Sequence, residues 1–447
     1  MKYEQWSYGY WCVKQYIKFV DWIIYKNIIL VGKEKIPKNK PILFAPNHQN
    51  ALSDPMAILL HTKFQPVWLA RADIFKKGMV TFLLRFLKIM PVYRMRDGKD
   101  QLAKNDKTFA DSIKVLENNF ALALFPEAAH SGKRQMIVHK KAVPRIVFMA
   151  EEKAENNLDI HIVPVGIYYS SYWKFNRNVI VNFGDPIHVN DFLDECKDNP
   201  PAATLSLRQK IYEAIDPLII NIKSKTHYND FENIRELYGK YYLKRQGRKY
   251  SVLNLFKSDQ LLTNKLDALE TKLPEEIEPQ AKDARDYDAL VKKKKLRSWL
   301  IENPKNNFLM IALNKLVLLL GLPIFLYGFI LNAIPFFTID IIARKRVKDI
   351  TFWSTFFLGL GIFLFPFIYL LEFFALIRLL PGIWLKLVFI ISLPIAGKLA
   401  FKWYILFRKT VGRIRLFLMK LLDRTEYQKL QDSKDKLFNR LDNLISV

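Results

Sequence analysis

Asn47-His48-Gln49-Asn50-Ala51-Leu52-Ser53-Asp54-Pro55 sets a histidine and a carboxylate in one short loop. The apolar run before it, Ile42-Leu43-Phe44-Ala45, reads as a buried strand. Ser53-Asp54-Pro55 reads as a helix start, with Asp54 at the N-cap and Pro55 at the first helical position. The order strand, loop, helix therefore places His48 at a strand end and Asp54 at the mouth of the next helix. An imidazole near neutral pH can take a proton from an alcohol, and a carboxylate on its other nitrogen fixes the tautomer and stabilises the imidazolium. No serine or cysteine nucleophile stands out beside the pair, which points to direct attack by a substrate hydroxyl. The plainer alternative is a capping aspartate beside a loop histidine.

Outward from this loop, short apolar runs alternate with helical patterns over residues 28–222. Strands are expected at Ile28–Val31, Ile42–Ala45, Val67–Ala70, Leu122–Phe125, Ile160–Val165 and Val179–Phe183. Helices are expected at Pro55–His61, Val80–Met90, Lys107–Asn118, Lys141–Glu152 and Ala203–Ile215. Such alternation predicts an α/β domain with a mostly buried sheet and flanking helices.

Three further blocks follow the histidine loop in order. Pro91-Val92-Tyr93-Arg94-Met95-Arg96 carries two arginines. Phe125-Pro126-Glu127 ends an apolar run, and Ile162-Val163-Pro164-Val165-Gly166 comes later. Together the four blocks resemble the glycerolipid acyltransferase family, which includes lysophosphatidic acid and glycerol-3-phosphate acyltransferases. The resemblance covers about residues 28 to 190 and departs from the family in two places. Five residues separate His48 from Asp54 where most of the family has four, as in a branch resembling the fungal glycerol-3-phosphate acyltransferases. Ala128 stands where the family usually has glycine, and His130 where it often has arginine.

The resemblance implies acyl transfer from a thioester to a glycerol hydroxyl, with 1-acylglycerol-3-phosphate as the expected acceptor. His48 is the expected base and Asp54 its orienter. Arg94, Arg96, Glu127, Lys133 and Arg134 are the expected acceptor-binding residues, since a guanidinium fork suits a phosphate. The plainer reading of each basic residue is surface charge, and of Glu127 a structural ion pair. His139, His161 and His188 show no metal-ligand spacing, so neither a metal nor another cofactor is expected; acyl carrier protein or coenzyme A would enter as the donor. Two alternatives stand beside this reading. One is acylation of glycerol 3-phosphate or of an amino-acid lipid. The other is a non-catalytic membrane scaffold or lipid-transfer protein.

Composition narrows the setting. The 447 residues are 51% hydrophobic and carry a formal charge of +26, which favours a polyanionic partner. The basic clusters flank apolar segments and no zinc-finger or RNP-like pattern is present, which favours anionic headgroups over nucleic acid. Cys12 and Cys196 are the two cysteines, so no disulfide framework is expected. Lys14, Lys18 and Asp21 interrupt the N-terminal apolar pattern, and no cleavable signal peptide is expected. Residues 1–27 read instead as an amphipathic aromatic helix, suited to the headgroup level or to packing on the core.

Residues 223–305 read as a charged helical linker or insert, and residues 411–447 as a polar helical tail. Between them, residues 306–410 read as a C-terminal α-helical membrane region with two or three apolar segments. The distribution of Lys and Arg predicts a catalytic domain on the cytoplasmic face and a spanning hairpin from the second and third segments. The first segment either spans or re-enters, with Gly321-Leu322-Pro323 supplying the bend.

Overall fold

The computed structural model describes residues 2–75, 78–94, 100, 103–302, 307–347 and 352–446. The chain divides into two compact units: Met1–Ile220 with Asp349–Thr355, and Asn221–Lys348 with Phe356–Val447.

The first unit is built on a mixed sheet in the order β1-β7-β6-β2-β5-β3-β4, with β8 paired to β6. Its strands are β1 Tyr25–Val31, β2 Ile42–Pro46, β3 Val67–Arg71, β4 Ile89–Val92, β5 Leu122–Ala123, β6 His161–Tyr169, β7 Arg177–Phe183 and β8 Ile187–His188. Both faces are covered, as the continuous apolar runs require. Leu43 and Ala45 of β2 point into one cluster with Leu122, Ile146 and Ile162. Ile42 and Phe44 point into the other with Ala123, Val163 and Val165.

Helices α1 Tyr8–Ile24, α2 Ser53–Leu59, α3 Met79–Phe86, α4 Lys104–Glu117, α5 Ala142–Lys153, α6 Leu193–Asp198 and α7 Pro200–Ile215 complete this unit. The helical expectation over Val80–Met90 is corrected, because the chain turns at Lys88 (φ 57°) and forms β4, which pairs with β3. Helix α1 buries Tyr10, Lys14, Ile17 and Asp21, one stripe at helical spacing. Lys14 Nζ donates to the carbonyls of Thr62 (2.9 Å) and Phe64 (2.7 Å), and burial lowers its pKa to about 8. Asp21 Oδ2 lies 3.1 Å from His61 Nε2. The outward side exposes Trp11, Phe19 and Trp22, with Trp6 just before the helix.

The second unit is helical: α8 Tyr228–Arg245, α9 Val252–Lys272, α10 Pro274–Lys293, α11 Ser298–Ile301, α12 Phe308–Leu320, α13 Leu322–Arg346, α14 Trp353–Leu376, α15 Gly382–Leu422 and α16 Arg424–Ser446. The first three residues of α14 belong to the first unit. Residues 223–305 and 411–447, read from sequence as a linker and a tail, pack on one another here. Asp283 of α10 accepts from Lys436 Nζ (2.7 Å) and Arg440 Nη1 (2.7 Å), and Leu437 and Leu441 are fully buried.

Among the described residues, three helices are long and apolar enough to cross a membrane: Leu322–Arg346, Trp353–Leu379 and Gly382–Leu422. The expected break at Gly321-Leu322-Pro323 is where α12 ends and α13 begins. A side chain at Gly328 of α13 would run into the backbone of Ala396 on α15, so glycine permits this close approach. Asn332 Nδ2 donates to the Leu393 carbonyl (3.2 Å), and Tyr369 OH donates to Asn332 Oδ1 (2.6 Å).

Candidate active site

The site grows from the end of β2. Asn47 prolongs the β2–β6 pairing past Pro46, which lacks an N–H: its backbone donates to the Val165 carbonyl (3.2 Å), and its Oδ1 accepts from Ile167 N (2.7 Å). The chain then leaves the sheet at His48. Its Nδ1 lies 2.9 Å from Asp54 Oδ2, which also accepts the backbone N–H groups of Gln49 and Asn50, both at 2.7 Å. Asp54 is completely buried, whereas the His48 side chain keeps 16% of its surface accessible. The carboxylate is therefore fixed by three donors, while the imidazole keeps an open side.

The expectation of Asp54 at an N-cap is corrected. Helix α2 begins at Ser53 with Leu52 at the cap, and Asp54 sits in its first turn. Its carboxylate turns back to the preceding loop, so one oxygen orders both the loop and the imidazole.

Phe125 stacks on His48 with ring centroids 3.9 Å apart and 18° between planes. Trp68 stacks behind Phe125 at 5.3 Å. His130 lies edge-on to His48 at 5.3 Å. The imidazole is thus held by aromatic contact as well as by Asp54. Phe125 and Trp68 were missed as site residues because an apolar residue at a strand end looks like core.

Glu127 is buried and joins two loops. Oε1 accepts the His48 backbone N–H (2.9 Å) and Oε2 accepts that of Ile137 (3.2 Å). Burial pushes its pKa up to about 8, against the two backbone donors, which pull it down. Glu127 therefore braces the loop that carries the base. Ala128 follows with φ 55°, in the left-handed region where glycine is favoured.

Arg134 is also committed internally. Nη2 donates to the Tyr169 carbonyl (2.7 Å), and the guanidinium lies over the rings of Tyr168 and Tyr172. Tyr172 OH in turn donates to Gln49 Oε1 (2.5 Å). These contacts tie Arg134 to the wall behind the histidine loop. Lys133 is exposed at the same turn. Arg94 lies at the end of β4 with Nη2 3.4 Å from Asp73 Oδ2, and Arg96 lies outside the described residues.

Sequence reasoning also missed Arg177, which enters from β7. It is buried, donates through Nη2 to Tyr25 OH (3.1 Å) and Ser53 Oγ (3.2 Å), and donates through Nη1 to the Tyr172 carbonyl.

Residues of a second cluster meet at the other end of β6. Asp159, His161 and His188 bring ligand atoms within 4.8 Å of one another, a grouping able to hold a metal ion that the sequence spacing did not suggest. The pairing of His161 with His188 across β6 and β8 creates it. Lys40 Nζ already meets Asp159 at 2.7 Å, and His161 Nδ1 meets the Asp159 carbonyl at 2.8 Å.

Residues 27–168 match the family model Acyltransferase. Over that stretch the chain is similar to acyltransferases that act in glycerolipid synthesis. The chain is 28% identical over 184 residues to the 1-acyl-sn-glycerol-3-phosphate acyltransferase of Borreliella burgdorferi, covering 40% of this chain and 67% of that one. It is 27% identical over 112 residues to glycerol-3-phosphate O-acyltransferase 2 of Saccharomyces cerevisiae, covering 25% of this chain and 15% of the yeast protein. Among solved structures it is similar to the crystal structure of the 1-acyl-sn-glycerophosphate (LPA) acyltransferase PlsC from Thermotoga maritima. That match has a TM-score of 0.32 at 17% identity, over 46% of this chain and 78% of that one.

Proposed function

We propose that this acyltransferase moves a fatty acyl group from a thioester donor, acyl-acyl carrier protein or acyl-coenzyme A, to the free hydroxyl of 1-acylglycerol-3-phosphate. The observation that carries the reading is the His48–Asp54 pair, with Nδ1 held at 2.9 Å by a buried carboxylate and the ring partly open. With Nδ1–H donating to Asp54, Nε2 is the basic nitrogen. It takes the acceptor's hydroxyl proton as the oxygen attacks the thioester carbonyl. The C–S bond then breaks, and His48 returns the proton to the departing thiolate. Asp54 stabilises the imidazolium between these steps. No covalent acyl-enzyme is formed.

Lys133, beside His130 and the Glu127 turn, and Arg94, beside Asp73, are the cations proposed to meet the acceptor phosphate. The exposed rings of Trp6, Trp11, Phe19 and Trp22 suit the headgroup layer, and the net positive charge favours an anionic surface. The proposed location of the catalytic unit is the cytoplasmic face, where acyl thioesters are made.

The test is purified protein in lipid nanodiscs with a labelled acyl thioester. Acceptors are 1-acylglycerol-3-phosphate, glycerol 3-phosphate and an amino-acid lipid. The expected result is transfer to the first, lost in His48→Ala by about 10²-fold or more. Preferential use of glycerol 3-phosphate would replace the acceptor, and undiminished turnover in folded His48→Ala would end the reading.

A further inference from the structure

The five-residue spacer Gln49–Ser53 between His48 and Asp54 is held from two sides. Ala51 within it has φ 37°, a conformation that costs a side-chain-bearing residue energy. From one side, Asp54 accepts the Gln49 and Asn50 amides, and Asn50 Nδ2 donates to the Tyr172 carbonyl (3.2 Å). From the other side the support arrives from three hundred residues away. Thr355 Oγ1 accepts the Leu52 backbone N–H at 3.0 Å. Ser354 Oγ donates to Asn50 Oδ1 at 2.6 Å, and Ser53 Oγ lies 3.4 Å from Ser354 Oγ. Phe352 meets His130 edge-on at 4.7 Å, and His130 in turn meets His48 at 5.3 Å.

From these contacts we infer that Phe352, Ser354 and Thr355 are positioning residues of the acyl-transfer site: they clamp the spacer between His48 and Asp54 and hold His130 against the base. The inference rests on the His48–Asp54 acyl-transfer reading. Three features favour a role in catalysis over simple packing. The polar contacts converge on three of the five spacer residues, Asn50, Leu52 and Ser53. All three contacts go to the small hydroxyls of Ser354 and Thr355, whose aim is set by the backbone of the same segment. The spacer also fixes the angle between the imidazole and its carboxylate, on which proton transfer depends. A clamp lost here lets the spacer relax and turns the His48 ring away from its working angle, without touching either substrate.

The test uses the full chain in nanodiscs, with Ser354→Ala, Thr355→Val, the double variant, Phe352→Ala and the conservative Thr355→Ser. The acyl-transfer kcat, the KM for donor and acceptor, the pH profile and the thermal unfolding midpoint are measured beside wild type and His48→Ala. The double variant is expected to lose about tenfold or more in kcat, with both KM values within about twofold and the unfolding midpoint unchanged. Thr355→Ser should restore most of the turnover. Wild-type kcat in the double variant, in a preparation where His48→Ala is inactive, would overturn the inference. So would a loss of rate that only follows a loss of folded protein. Full turnover by His48→Ala would instead overturn the acyl-transfer reading, and the clamp with it.

Discussion

Replacing Asp54 by asparagine isolates the charge behind His48 from the geometry that holds it. One oxygen of Asp54 accepts three donors: His48 Nδ1–H at 2.9 Å and the amides of Gln49 and Asn50 at 2.7 Å each. An asparagine oxygen in that place keeps all three. Its amide nitrogen then falls toward Tyr169, whose phenol is held well above its ordinary range by burial and, next, by the Asp54 charge. What the variant loses is the anion facing the imidazolium that forms as the hydroxyl attacks. Two charges about 4 Å apart at an effective dielectric near 20 attract by about 4 kcal/mol. Lost from the transition state, that is about 10³-fold in kcat. The assay is turnover of a labelled acyl thioester at saturating acceptor, with thermal unfolding as the control for folding. A folded Asp54→Asn protein within about tenfold of wild type would show that the charge does no catalytic work and would refute the argument.

Four other outcomes are expected. The folded state holds the Glu127 proton up to about pH 8, whereas the unfolded chain releases it near 4.5, so stability falls as pH rises between those values. The slope is up to about 1.4 kcal/mol per pH unit, and Glu127→Gln should flatten it in denaturation midpoints; an unchanged slope would assign it elsewhere. Ala128→Gly relieves the φ of 55° and should raise stability by roughly 1 kcal/mol, read as a higher unfolding midpoint; a lower midpoint would contradict the strain. Arg94→Ala and Lys133→Ala should each raise the KM for a phosphate-bearing acceptor more than for the acyl donor, and equal effects would remove that residue from the acceptor site. In a Cys12→Ser, Cys196→Ser background, Ser298→Cys, Val347→Cys and Ser433→Cys should resist a membrane-impermeant thiol reagent in intact cells, and Gly382→Cys should react. Labelling at Val347→Cys with protection at Ser298→Cys would show that the first segment spans.

The strands of the catalytic unit were legible because burial on both faces leaves short continuous apolar runs, as in Ile42–Ala45 and Ile160–Val165. Strand β4 was not. Its apolar residues continue the helical pattern of α3, and the turn between them falls on a lysine rather than on glycine or proline. The pair His48 and Asp54 was legible because only five residues separate them. The job of Glu127 was not, since its partners are backbone amides, which have no letter in a sequence. Arg134 and Arg177 show the same limit: an arginine looks alike whether it awaits a phosphate or bonds a carbonyl. Ser354 and Thr355 carry no local signal, and their meaning comes from contacts that only the folded chain makes.

The catalytic unit takes its last residues, up to Thr355, from beyond the first long apolar helix, Leu322–Arg346. A ribosome therefore delivers this unit in two instalments. At about 5–20 residues per second, the second follows Ile220 by on the order of ten seconds. In that interval the nascent chain already holds His48 and Asp54, but Leu52 and Asn50 still lack Thr355 and Ser354. Completion of the site thereby follows synthesis of a helix long and apolar enough to cross a membrane.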